Sequence, residues 1–144
     1  MRTAITILAL LLAAAARGEL PVVELGAGMH VIRAELADTF ASRVRGLMHR
    51  QKLGQNSGML FVFEESGIQC MWMKNTLIPL SVAFLDDTGA IVNIADMQPQ
   101  SEDSHCAARP ARYALEMNRG WFAERGIKAG TRLRGIEKVS PRRP

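Results

Sequence analysis

Apolar and polar residues alternate along this chain with two different periods. Over Met29–Ala37 the period is two: Val31, Arg33 and Glu35 point one way while Ile32, Ala34 and Leu36 point the other, which predicts a strand. After Asp38 the period lengthens. Phe40, Val44, Leu47 and Met48 recur at helical spacing, with Asp38 or Thr39 as N-cap and Arg43, Arg45, Arg50 and Lys52 on the other faces. Gly46 weakens such a helix by about 1 kcal/mol relative to alanine and suits a close approach to a sheet. Gly54-Gln55-Asn56-Ser57-Gly58 reads as a loop.

Beyond that loop the pattern is one of strands. Met59–Phe63 is continuously apolar, as a strand covered on both faces would be. Glu64-Glu65-Ser66-Gly67 is expected to turn the chain and Ile68–Met73 to run back. Leu80–Leu85 and Ala90–Ala95 flank Asp86-Asp87-Thr88-Gly89, a hairpin signal. Residues 97–111, with Pro99 and Pro110, read as a long surface loop. In Arg112–Met117 the alternation puts Tyr113, Leu115 and Met117 inward and Arg112, Ala114 and Glu116 outward. A helical turn follows at Trp121–Arg125, then Gly126 and Gly130 bracket a connection to a last strand, Arg132–Ile136. The prediction is a mainly β (α+β) domain of about eight short strands and two short helices, arranged as a bent sheet or a β-barrel-like body. It would occupy residues 29–138, after an extended lead-in at 17–28 in which Val22, Val23 and Leu25 can form a short strand, and before a flexible tail at 139–144.

The first residues bear on compartment. Arg2 and the uncharged apolar run Ala4–Ala16 match a signal peptide, since the run is shorter than the roughly 20 residues that span a bilayer. Ala14-Ala15-Ala16 presents small side chains for cleavage after Ala16, with Gly18 as a second candidate. No cysteine follows directly, so no lipid anchor is expected. The expectation is a periplasmic or secreted protein with residues 1–16 removed and no transmembrane segment afterwards. A net charge of +4 is a modest excess. Without a basic helix or a zinc-ligand pattern it does not point to nucleic acid.

Cys70 and Cys106 are the chain's two cysteines. In an oxidising compartment they are candidates for one disulfide; two buried thiols or a soft-metal site are the alternatives.

Met71-Trp72-Met73-Lys74-Asn75-Thr76-Leu77-Ile78-Pro79-Leu80 resembles a signature of a bacterial and archaeal family, the domain of unknown function 192, also called uncharacterised protein family 127. Arg45–Arg50, Gly58–Phe63, Tyr113–Glu116 and Gly126–Gly130 fit the same family in the same order. The resemblance covers roughly residues 30–136. It implies a compact β-barrel-like domain with short helices, often exported or membrane-tethered, and brings no agreed activity. Two positions depart from the family's usual pattern: Ser81 and Thr131 stand where many members carry an acid, which leaves an acid–base role at either position without its group.

Lys74, Asn75 and Thr76 interrupt an apolar stretch before Pro79, where the three side chains can emerge together beside Trp72 and hold an anionic or carbonyl-bearing ligand. Alternatively, Asn75 and Thr76 hold a turn while Lys74 stays solvated. Glu116 could pair with Lys74 or an arginine, yet no spacing sets Asp96, Asp103 or His105 beside it, and an exposed strand carboxylate is the simpler expectation. Met97, His105, Cys106, Met71 and Met73 are soft donors of the kind Cu(I) prefers, although methionines in apolar strands usually fill gaps. His30 and His49 show no ligand spacing, and no metal site is expected. No nucleophile elbow, phosphate loop or dinucleotide fingerprint is present, so neither catalytic residues nor a cofactor are assigned. The sequence therefore favours a non-enzymatic module binding a small molecule or an envelope protein through Lys74, Asn75, Thr76, Trp72 and Glu116. An envelope hydrolase or transferase pairing a carboxylate with Lys74 is the alternative, and copper handling is a third.

Overall fold

A computed structural model describes residues 18–139; the expected signal peptide at 1–16 and the residues at 17 and 140–144 lie outside it. Eight strands form two sheets, with two short helices. Val22–Ala27 (β1) and His30–Ala37 (β2) make a hairpin. After the helix Phe40–Arg45 (α1) comes the long strand Ser57–Gly67 (β3), which pairs parallel with β2. Cys70–Met71 (β4) is a two-residue strand. Leu80–Leu85 (β5) and Ile91–Met97 (β6) form the hairpin expected around Asp86–Gly89. Asp86 holds that turn by accepting from Thr88 N, Thr88 Oγ1 and Ala90 N at 2.9, 2.7 and 3.1 Å. His105–Cys106 (β7) pairs with β4, and Ala111–Asn118 (β8) precedes the helix Trp121–Glu124 (α2).

The main sheet runs β1-β2-β3-β8-β5-β6, so β8, although last in the chain, sits at its centre between β3 and β5. Both faces of this sheet are covered. On one, Leu25, Ile32, Leu60, Ala83, Leu115 and Met117 pack with Trp121, Phe122 and Leu133. On the other, Met59, Phe61, Val82, Phe84 and Ala114 pack with Leu47, Met73, Ile78 and Ala107. Residues 131–134 touch both β1 and the start of β6 through the isolated bridges Gly26–Arg134 and Ala90–Arg132. The sheet therefore bends around its first core without closing into a barrel.

Several expectations are corrected. Glu64–Gly67 does not turn the chain: β3 runs through it, shifting register between Val62 and Gly67 to pair Gly67 with Ala111. The strand expected over Ile68–Met73 shrinks to Cys70–Met71, because its only ladder partner is the equally short β7 inside the supposed loop at 97–111. The helix stops at Arg45, where Gly46 takes φ +48°, and Phe40 and Val44 face solvent rather than the core. No continuous strand forms at Arg132–Ile136; single bridges lead into a 3-10 turn, Ile136–Lys138. Among the described residues, no helix is long and apolar enough to cross a membrane.

Candidate functional site

A cavity of about 260 Å³ opens between α1, β3, β4 and the centre of β8. Local chemistry fixes its roof. Thr39 caps α1 by accepting from Ser42 N at 3.1 Å, and Ser42 reciprocates on Thr39 N at 3.0 Å. Arg43 then ties the helix to β3 by donating from Nη1 to the Val62 carbonyl at 3.0 Å. Past the helix, Arg50 grips Glu35 of β2 with a bidentate pair at 2.7 and 2.8 Å, fixing the turn that carries Leu47 and Met48 into the cavity lining. The His49 amide donates to the Asn75 carbonyl at 2.9 Å, which joins this turn to the segment bearing Trp72 and Thr76.

Glu116 lines the interior of the cavity. The sequence pattern placed it on an outward face, and it is instead 4% exposed. The reason is strand order. As β8 is central, the lateral neighbours of Glu116 are Met59 of β3 and Val82 of β5, both fully buried. Its carboxyl makes no hydrogen bond or ion pair with any described residue. Burial alone raises its pKa to about 8, so the group is mostly protonated at neutral pH.

The other anticipated residues divide. Thr76 is buried and lines the cavity, its hydroxyl donating to the Lys74 carbonyl at 3.2 Å. Trp72 lines the cavity and is 47% exposed. Lys74 and Asn75 are exposed and do not line it. The Lys74 ammonium lies over the Trp72 ring, 5.3 Å from its centroid, and Asn75 occupies a turn at φ +55°. No ion pair joins Lys74 to Glu116 or to Asp96. Asp96 belongs to the opposite sheet face, where it accepts from Ser81 Oγ at 2.6 Å and lies 3.9 Å from Arg119. The Lys74–carboxylate pair that a hydrolase or transferase would need is not assembled. Ser81, which stands where many family members carry an acid, is buried and also accepts from Gly120 N at 3.0 Å.

Cys70 and Cys106 form a disulfide that joins β4 to β7, and Cys70 lines the cavity rim. The copper reading thereby loses its thiolate. Met73 and Met97 are fully buried in the second core, and among the described residues no cluster of three His, Cys, Asp or Glu could hold a metal. Residues that sequence reasoning missed are Leu47, Phe61 and Phe63, which wall the cavity, and Arg43 and Arg45, which add its charged groups. Their convergence depends on α1 lying across β3, for which no local signal exists.

Comparison with known proteins places this geometry. The model of the DUF192 family, described as uncharacterized ACR, matches residues 22–135. The chain is similar to a solved protein of Sinorhizobium meliloti 1021, provisionally described as a transcription regulator. They share 36% identity over 80% of this chain and 92% of that one, at a TM-score of 0.74. It is also similar to a protein of unknown function from Novosphingobium aromaticivorans DSM 12444, with 38% identity over 79% of this chain and 85% of that one, at a TM-score of 0.76. Among curated proteins none matches. With the match running from the first strand to the last bridge of the fold, the chain belongs to the DUF192 family.

Proposed function

We propose that this protein is an exported, non-enzymatic module that binds a small molecule in the cavity beneath α1. The observation that carries the reading is Glu116: an unpaired carboxyl, buried between apolar neighbours, lines a cavity with Phe61, Phe63, Met71 and Trp72 on its walls. The carboxyl has no protein partner and lines the cavity, and supplying that partner is what a ligand would do. The pairing of a carboxylate with Lys74 that the hydrolase or transferase reading needs is missing, because Lys74 and Asp96 both lie elsewhere. Export is supported by the Arg2 and Ala4–Ala16 leader and by the Cys70–Cys106 disulfide, which suits an oxidising compartment. The likeness to the Sinorhizobium meliloti protein does not favour a regulator of transcription, because this chain presents no basic recognition helix among the described residues: α1 and α2 are six and four residues long.

Two measurements test the proposal. The first is mass spectrometry of small molecules released from the purified protein and from Glu116→Leu. A compound retained by the first and lost from the second is expected; identical extracts count against the cavity. For export, the chain recovered from the cell envelope should begin after Ala16, and protein confined to the cytosol with residues 1–16 intact would end that part of the reading.

A further inference from the structure

Building on the reading of the cavity as a ligand site, we propose that its occupant is an uncharged, mainly apolar molecule that presents one acceptor oxygen, such as a ketone or ester carbonyl, to the Glu116 carboxyl. Geometry restricts the choice. The walls contributed by Leu47, Phe61, Phe63 and Met71 are apolar, and about 260 Å³ is the room taken by roughly nine waters, enough for a molecule of single-ring size. Inside, Thr76 has its hydroxyl proton committed to the Lys74 carbonyl and can only accept from a ligand. Glu116 is free to donate.

Charge argues against the two ionic classes. Met59 from β3 and Val82 from β5 flank Glu116, while Thr76 from the segment after β4 and Arg43 and Arg45 from α1 line the same cavity. The charged groups lining the cavity besides Glu116 are thus both cations, and Lys74 stands outside over Trp72. An organic cation would enter against all three. An anion could meet the arginines, but to reach Glu116 it would have to give up its hydration against the apolar walls of Leu47, Phe61, Phe63 and Met71. Arg43 is also already engaged, by the Val62 carbonyl and by Glu64 at 3.7 Å. A neutral acceptor meets none of these conflicts and supplies the one bond that Glu116 lacks.

The test uses four matched single-ring probes: acetophenone, ethylbenzene, benzylamine and benzoate. Binding to the purified protein is read from the NMR shifts of the labelled Met71 methyl, which lines the cavity. At pH 6.5 acetophenone is expected to bind about three- to tenfold more tightly than ethylbenzene, the range of one hydrogen bond. That preference should vanish by pH 9.5, once Glu116 has ionised. Glu116→Leu should bind the two equally, and Glu116→Gln, whose amide still donates, should keep the preference at both pH values. Should Glu116→Leu fail to fold, the pH series and Glu116→Gln decide alone. Tighter binding of benzylamine or benzoate, or equal binding of acetophenone and ethylbenzene to the unaltered protein, overturns the ligand class and leaves a binding cavity standing. If no probe moves the Met71 methyl, the cavity reading itself falls with it.

Discussion

Glu116 shows how far one side chain's behaviour can depend on its neighbours across a sheet. Flanked by Met59 and Val82, it cannot ionise at its ordinary value near 4.5, and burial carries its pKa to about 8. The folded state then holds a proton that the unfolded chain releases. Its contribution to stability is accordingly greatest below about pH 4.5 and is lost as pH rises toward 8. At about 1.4 kcal/mol per unit, the loss amounts to a few kcal/mol. Urea denaturation at pH 5 and pH 8.5 should show this decline, and Glu116→Gln should flatten it; an equally steep decline in that variant would place the titration elsewhere. Nothing in Tyr113–Met117 revealed this, because alternation tells which residues share a face and not whether that face is covered. Thr76 and Trp72 were legible as polar and aromatic tips on an apolar segment, whereas Lys74 and Asn75, equally conspicuous, turned out to stand outside the cavity.

Among the elements, the β3–β8 pairing carries the site. Gly58 lies opposite Met117, and a Cβ there would collide with the Glu116 carbonyl oxygen and the Met117 sulfur. Gly58→Ala is therefore expected to destabilise the fold by about 1–3 kcal/mol or more, seen as a lower melting temperature, while distorting the strand that holds Glu116. Unchanged melting would mean that β8 can move aside. The turn after α1 depends on Arg50 and Glu35 in the same way. Arg50→Ala removes a bidentate, partly buried pair, and should cost about 1 kcal/mol while accelerating amide exchange over residues 46–49. The strands at Met29–Ala37, Met59–Phe63 and Leu80–Leu85 were readable because their apolar runs are long and regular. Those at Cys70–Met71 and His105–Cys106 were not, since two residues carry no period and only pairing defines them. The stretch Glu64–Gly67 misled for a related reason: its polar composition suggests a turn, but ladder bonds to β8 resume at Gly67.

For the molecule as a whole, the Cys70–Cys106 bond joins the two strands of the minor sheet, whose β4 strand lines the cavity. It closes a loop with a sequence separation of 36, for which chain entropy gives roughly 3–4 kcal/mol. The double variant Cys70→Ser/Cys106→Ser should melt at a lower temperature than the oxidised protein, and reductant should leave its melting unchanged; equal melting of the two would show that the strap adds no stability. Composition, hydrophobic periods and the Asp86–Gly89 turn determined by themselves that this is a mainly β domain, and the Met71–Leu80 region carried enough of a signature to indicate its family. These are local properties, written in spacing and turn chemistry. Only the tertiary structure decided that β8 threads between β3 and β5, that the sheet is covered on both faces without closing, and that one carboxyl group is thereby set into a largely apolar cavity. Each of those follows from contacts between residues distant in the chain, and the period of a single strand holds no information about which strands will lie on either side of it.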